Sequence, residues 1–100
     1  MNLEGFDRIG SADYNFSEGK REHDISVTYF GSKETYDDGA ARKYVIRVNP
    51  NLFVNMHCSP TSFEKIKGEL ARMIEKKPRP DRLVLDIEYF IEDLFGEEHD

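Results

Sequence analysis

Two short apolar runs flank an Asn-Pro-Asn turn near the middle of the chain, and they constrain the fold more than any other feature. On both sides of this turn, apolar residues alternate with others at the period of a β-strand. A hairpin closed by Asn49, Pro50 and Asn51 pairs Val48 with Leu52, Ile46 with Val54 and Tyr44 with Met56. This register puts all six side chains on one face, and a slip of one residue would destroy that agreement. The sequence therefore predicts an antiparallel hairpin with one buried face.

The remaining pattern predicts a sheet followed by helices. Asp24 to Phe30 is a further strand, with Ile25, Val27 and Tyr29 on one face and Ser26, Thr28 and Phe30 on the other. Residues 1–23 are expected to be a poorly ordered or irregular start, with a short strand over 12–16 and a turn over 17–20. Residues 97–100 are expected to be an acidic tail. We expect one α+β domain over residues 1–100: an antiparallel sheet of three or four strands with two C-terminal helices packed on one face.

The first helix has a clear start and stop. Ser59 or Thr61 can cap it, Pro60 suits its first turn, and Pro78 stops it. Its apolar residues recur at helical spacing: Phe63, Ile66, Leu70, Met73 and Ile74. We predict that Phe63, Ile66 and Leu70, with Ile87 of the second helix, share the core with the six hairpin residues.

The second helix is predicted to be capped by Asp81 and to end at Gly96. Its apolar stripe comprises Leu83, Ile87, Phe90, Ile91 and Leu94. The same segment also alternates as a strand would, at positions 83, 85, 87, 89 and 91. The length of the segment and the positions of Asp81 and Gly96 favour the helix.

Composition limits the functional classes. Twenty acidic against fourteen basic residues give a net charge of −6, which disfavours nucleic acid as a partner without excluding it. The single cysteine, Cys58, rules out an internal disulfide and fits a reducing compartment. No secretory signal is readable at the N-terminus, and no apolar run is long enough to cross a bilayer. We expect a cytoplasmic protein with no membrane partner and no cofactor.

The charge is unevenly distributed, and this predicts the first candidate site. Residues 81–100 hold eight acids and one base, a net charge of −7, whereas residues 41–59 and 60–80 each carry +3. Acids near the C-terminus of a helix oppose its dipole and cost about 0.3–1 kcal/mol each at an exposed site. A sequence selected only for stability would prefer lysine there. We therefore predict a protein-binding surface, the acidic surface, made of Asp86, Glu88, Glu92, Asp93, Glu97 and Glu98.

The outer face of the predicted sheet is the second candidate site. The hairpin register places Lys43, Val45 and Arg47 beside Phe53, Asn55 and His57, with Phe30 near them. Cations mixed with aromatic rings on an open sheet can stack nucleic-acid bases or bind a partner. The alternative is that the loop over 31–40 or the N-terminal segment covers this face. The binding residues predicted here are Lys43, Arg47, Phe53 and His57.

The residues do not predict a catalytic or metal site. His57 and Cys58 adjoin, but neighbours on a regular strand point to opposite faces and cannot act as base and nucleophile. Cys58 continues the buried face of its strand and is expected to be a small buried hydrophobe. The three histidines lie far apart, at positions 23, 57 and 99, without the paired spacing of a zinc site.

Three functional hypotheses follow. In its small size, its acidic ends and its lack of a catalytic set, the chain is similar to small inhibitor, immunity or anti-defence proteins as a class. The first hypothesis is therefore a non-enzymatic module that binds a basic surface of a larger protein, such as a nucleic-acid-handling enzyme. The second is a nucleic-acid or nucleotide binder that uses the outer sheet face. The third is a small subunit whose site forms across a homodimer interface.

Overall fold

The computed structural model describes residues 3–33 and 41–95 of the chain. Four strands come first: β1 (Phe6–Glu18), β2 (Arg21–Ser32), β3 (Arg42–Val48) and β4 (Leu52–Cys58). Two helices follow: α1 (Pro60–Glu75) and α2 (Pro80–Phe95). The strands form one antiparallel sheet in the order β1-β2-β3-β4. The predicted α+β fold is confirmed, with four strands in the sheet.

The central hairpin has the predicted register. Val48 pairs with Leu52, Ile46 with Val54 and Tyr44 with Met56. At the turn, Asn49 adopts a left-handed conformation with φ 56°, which asparagine tolerates better than most residues. The Asn49 side-chain oxygen accepts a hydrogen bond from the Ser26 amide at 3.0 Å, and the Asn49 amide donates to the Ser26 carbonyl at 2.7 Å. The turn is therefore fixed to β2 as well as closing its own hairpin.

The expectation of an irregular start is wrong for Phe6–Glu18, which forms the 13-residue strand β1; the short strand predicted over 12–16 is confirmed as part of it. Its pairing with β2 runs from Phe6 to Glu18, and Gly19 with Lys20 makes the turn between the two strands. The register shifts between Arg8 and Gly10, so the side-chain alternation breaks there. Since β1 also lies at the sheet edge, few of its residues are buried. The bulge and the polar edge together remove the apolar period from the first half of β1.

Helix α1 begins as predicted, and Ser59 rather than Thr61 is its cap. The Ser59 hydroxyl oxygen accepts a hydrogen bond from the Ser62 amide at 3.1 Å, and Pro60 is the first helical residue. The Phe63 ring stacks on the Tyr44 ring of β3 with 3.9 Å between centroids. At the far end, Lys77 has φ 51° and the chain leaves the helix before Pro78. The cap and the proline thus define both ends of α1.

Segment 83–94 is helical, so the strand alternative is wrong. The predicted cap at Asp81 is also wrong, because α2 already begins at Pro80. Proline suits the first helical position, since its φ is fixed near the helical value and it needs no partner for a backbone N–H. Asp81 lies in the first turn, where its carboxylate accepts a hydrogen bond from the Arg82 amide at 3.0 Å. The predicted exit, Gly96, and the predicted acidic tail at 97–100 lie outside the described residues.

The core lies between the sheet and the two helices, on one face of the sheet. All ten residues predicted for it belong to this cluster, although Leu52 is only partly buried. Ile25, Val27 and Tyr29 of β2 point into the same core, as their alternation predicts. Helix α1 packs beneath β2 and β3, where Phe63 contacts both Tyr29 and Tyr44. Helix α2 packs beneath β4. This arrangement exposes one side of α2 and leaves the opposite face of the sheet without a helix over it.

Candidate functional site

The described residues of the acidic surface lie on α2, most of them on its exposed side. Leu83 and Ile87 point into the core, which turns the residues across the helix towards solvent. Glu88, Glu92 and Asp93 are exposed, and none of them forms an ion pair with another residue in ranges 3–33 and 41–95. The helix thus brings together three of the predicted carboxylates as free charges. Two further predicted members, Glu97 and Glu98, lie outside the described residues.

Asp86 differs from the other acids of this surface. Its carboxylate pairs with the Arg82 guanidinium at 3.2 Å, one helical turn earlier. The Asp86 side chain is also partly covered, because it lies on the side of α2 that turns towards α1 and borders a groove with Met73 and Lys76. Asp86 is therefore partly neutralised, and the free charge in the described part of the surface comes from Glu88, Glu92 and Asp93.

Two exposed apolar side chains lie among these acids, and the sequence patterns did not single them out. Tyr89 is 61% exposed and Leu85 is 44% exposed, one turn apart on α2. Helical geometry of about 100° per residue places Glu88 and Glu92 on one side of this pair and Asp93 on the other. The sequence did contain a signal of their exposure, since neither residue belongs to the predicted apolar stripe of the helix. The strand alternative hid this signal, because a strand over the same residues would turn Leu85 and Tyr89 inward.

The outer face of the sheet has the side-chain arrangement that the register predicts. Lys43 pairs with His57, and Arg47 pairs with Phe53, across β3 and β4. Lys43 and His57 are exposed, whereas Arg47 and Phe53 are partly buried. The structure therefore brings the four predicted binding residues together on neighbouring strands.

The aromatic part of this face is less open than the sequence suggests. Phe30 is only 9% exposed, and the Arg47 guanidinium lies over its ring, 5.2 Å from the centroid. Val45 is also buried, although both helices lie on the other side of the sheet. A shallow cavity of about 380 Å³ is bounded by Phe6, Lys43 and His57. Lys43 remains exposed, but the Phe30 ring already has the Arg47 cation on one face.

A second cavity, of about 510 Å³, lies where the β1–β2 hairpin meets the start of α2. The Arg79 guanidinium bounds it and pairs with the Glu18 carboxylate at 2.8 Å. The same guanidinium lies over the Phe16 ring, 5.6 Å from the centroid. These contacts tie the hairpin to the connection between the helices. Because the cation is already paired, this cavity has the character of a structural junction.

Cys58 and His57 point to opposite faces of β4, as predicted. Cys58 is buried and 4% exposed, while His57 is exposed on the outer face. Burial raises the pKa of the Cys58 thiol and so favours its protonated form. Burial likewise raises the pKa of Tyr29, Tyr44 and Tyr14, the last to about 12. These shifts follow from desolvation in the core and belong to neither candidate surface.

Within ranges 3–33 and 41–95, no three or more His, Cys, Asp or Glu side chains are grouped so that they could hold a metal ion. Neither α1 nor α2, the helices of the described part of the chain, is long and apolar enough to span a membrane.

Comparison with known proteins adds no relative to this picture. No family model matches the chain, and neither the curated proteins nor the solved structures contain a match.

Proposed function

We propose that this protein is a small non-enzymatic binding module that occupies a basic surface of a larger protein through α2. It acts as an inhibitor, immunity or anti-defence type of protein in this proposal. The observation that carries it is the group of exposed carboxylates around two exposed apolar side chains. Glu88, Glu92 and Asp93 surround Tyr89 and Leu85 on the side of α2 that faces away from the core.

The energetics of α2 support a binding role for this surface. Glu92 and Asp93 lie in the last turn, where negative charge opposes the helix dipole, and this turn contains no basic residue. Exposed Tyr89 and Leu85 add nothing to the core. Tyrosine is enriched among the residues that contribute most to protein interfaces, because it combines a large apolar ring with a hydroxyl. A binding role accounts for the presence of these residues better than a contribution to the stability of the fold does.

The charge of the surface indicates the kind of partner. Carboxylates that are free in the monomer can pair with lysine and arginine on a partner and increase its rate of association. Nucleic-acid-handling enzymes carry large basic surfaces, so we propose a partner of this kind. The single cysteine favours the cytoplasm as the place of the interaction.

Affinity capture from the native cell extract tests this proposal with two matched variants. The first variant removes three charges from α2 by Glu88→Gln, Glu92→Gln and Asp93→Asn. The second removes three exposed charges from the β1–β2 hairpin by Asp7→Asn, Asp13→Asn and Glu22→Gln. We expect the α2 variant to lose the partner and the hairpin variant to retain it. Once a partner is identified, unchanged affinity in the folded α2 variant would refute the proposal.

A second candidate function uses the outer face of the sheet. The adjacency of Lys43, Arg47, Phe53 and His57 on β3 and β4 favours a nucleic-acid or nucleotide binder. Titration with a single-stranded oligonucleotide tests it, using Lys43→Gln with Arg47→Gln as the variant. Salt-dependent binding that this variant abolishes would support the second function. Absence of binding at low salt would exclude it.

A further inference from the structure

Strand β4 forms an edge of the sheet without the usual protection against pairing. Within residues 3–33 and 41–95 it pairs with β3 alone, so the backbone N–H and C=O groups on its other side have no strand partner in this part of the chain. Natural edge strands are commonly protected by charged residues, prolines or bulges. Leu52–Cys58 contains no proline, no glycine and no lysine, arginine, aspartate or glutamate. The β4 edge can therefore accept an additional strand.

The opposite edge of the sheet, strand β1, is protected against pairing with a further strand. Strand β1 carries a register shift between Arg8 and Gly10 and has the charged residues Asp7, Arg8 and Asp13 along its length. A bulge twists an edge, and charged side chains discourage a further strand from pairing with it. The two edges of one sheet thus differ in their protection, and only β4 resembles a site for strand addition.

Helix α2, which carries the exposed carboxylates, packs against the edge strand β4. Phe90 and Leu94 of α2 line a groove with Gly68 and Arg72 of α1, so this side of α2 faces α1. Helical geometry puts Glu88 and Glu92 on the side away from α1. Since α1 packs beneath β2 and β3, and α2 beneath β4, that side of α2 lies next to the open edge.

From this juxtaposition we propose that the β4 edge binds an extended basic segment of the partner as a fifth strand. The backbone of the segment pairs with β4, as in other cases of strand addition. Alternate lysine or arginine side chains of the segment turn towards the helix layer, where their charged ends reach Glu88 and Glu92. This inference rests on the proposed function, because both use the same carboxylates.

Charge distinguishes a basic segment from a second copy of this chain. Two copies paired through β4 would bring Glu88 and Glu92 of each towards the same carboxylates of the other. Like charges brought together in this way oppose association. A basic segment instead neutralises them. The observations therefore favour a partner of opposite charge over a homodimer.

Amide hydrogen exchange measured by NMR tests the proposal with defined synthetic peptides. The probe is a short peptide in which lysine alternates with valine and threonine. Its controls are the same peptide with glutamate in place of lysine, and the lysine peptide with alternate backbone amides N-methylated. We expect saturating lysine peptide to slow exchange at alternate β4 amides by about tenfold or more, since exchange then requires its dissociation. N-methylation should weaken binding about tenfold, because it removes backbone donors without changing charge.

A pair of protein variants tests the contribution of the carboxylates. Glu88→Gln with Glu92→Gln should weaken the lysine peptide about fivefold to tenfold, as expected for two ion pairs. Asp7→Asn with Asp13→Asn makes the same change in net charge at the other edge and should leave binding unchanged. Equal effects of the two variants would refute a local role for the carboxylates of α2.

Other outcomes separate this inference from the proposed function. A lysine peptide that shifts α2 resonances only, and that is insensitive to N-methylation, would refute strand addition while leaving the acidic surface as a binding site. Equal protection of β4 by the lysine and glutamate peptides would refute the charge preference. Protection of β4 without peptide, together with a dimer in light scattering, would show that a second copy occupies the edge and would overturn the proposal.

Discussion

The Tyr14 hydroxyl donates a hydrogen bond to the backbone carbonyl oxygen of Pro78, with 2.6 Å between the two oxygens. This contact joins the edge strand β1 to the connection between α1 and α2, 64 residues further along the chain. The Tyr14 ring is buried in the core at the same time. One side chain thus attaches the outermost strand to the helix layer by both its ring and its hydroxyl.

We expect Tyr14→Phe to lower the free energy of unfolding by about 0.5–1.5 kcal/mol, because it removes this hydrogen bond and keeps the ring. Urea denaturation followed by circular dichroism measures the change. Tyr89→Phe is the matched control, since Tyr89 is exposed on α2 and its loss of a hydroxyl should change stability by no more than about 0.5 kcal/mol. Equal losses in the two variants would contradict the role of the Tyr14 hydroxyl.

Alkaline pH should destabilise the protein through its buried tyrosines. Burial raises the pKa of Tyr14 from 10.0 to about 12 and also raises the pKa of Tyr29 and Tyr44. The folded state therefore holds these protons more tightly than the unfolded state. The resulting stability is fully present below pH 10 and is lost as the pH rises towards 12.

Denaturant unfolding at a series of alkaline pH values measures this loss. Tyr14→Phe should make the decline between pH 10 and 12 shallower, because one of the titrating groups is gone. A free energy of unfolding that stays constant across this interval in the unmodified protein would contradict the prediction.

Truncation of a core side chain, whether in the sheet or in the helix layer, should strongly lower the free energy of unfolding. Ile46 of β3 and Leu70 of α1 are both fully buried. Ile46→Ala and Leu70→Ala should each lower the free energy of unfolding by about 2–5 kcal/mol, through lost apolar burial and the cavity that remains. Asn55→Ala on the exposed face of β4 is the control and should change stability by no more than about 0.5 kcal/mol. Chemical denaturation gives all three values, and a small loss at Ile46 would contradict its place in the core.

The central hairpin could be predicted to the residue because two independent signals agree. The alternation of its strands and the length of the Asn49–Asn51 turn specify the same register, and burial of one face admits no slip. The first half of strand β1 lacked both signals. Its register shift near Ile9 breaks the alternation, and its position at the sheet edge leaves many polar side chains. Residues 12–16 could be predicted as a strand, but only the pairing with β2 shows that the residues before them belong to it.

For the candidate surfaces, too, some features could be predicted from the sequence and others could not. Charge can be counted along a sequence, so the carboxylates of α2 could be identified without a structure. The exposure of Leu85 and Tyr89 depends on whether the segment is helical, because a strand would turn both residues inward. The burial of Phe30 and Val45 depends on tertiary packing of the outer sheet face. The alternation of apolar residues along one strand gives no information about that packing.

Cys58 should behave as a structural residue. It is buried, and burial raises the pKa of its thiol, so little reactive thiolate is present at neutral pH. Cys58→Ala should lower the free energy of unfolding by about 1 kcal/mol and leave partner binding unchanged. A thiol reagent should label the native protein slowly and the unfolded protein rapidly. Fast labelling of the native protein, with loss of binding in Cys58→Ala, would instead indicate a functional thiol.

The two ends of α2 should respond oppositely to removal of charge. Asp81 lies in the first turn, where a carboxylate is favourable to the helix dipole, while Glu92 lies in the last turn, where it is unfavourable. We expect Glu92→Gln to raise the free energy of unfolding by about 0.3–1 kcal/mol and Asp81→Asn to lower it by a similar amount. The exposed contact of Asp81 with Arg79, at 3.7 Å, adds little to the second value.

Thermal unfolding at low and high salt measures both changes at α2. Both differences should shrink at high salt, because exposed charges are then screened within a few ångströms. If Glu92→Gln instead destabilised the free protein, Glu92 would stabilise the fold, and its selection for binding would lose its main energetic support. A stabilised Glu92→Gln protein that binds its partner less well would show that this carboxylate favours association at the expense of the stability of α2.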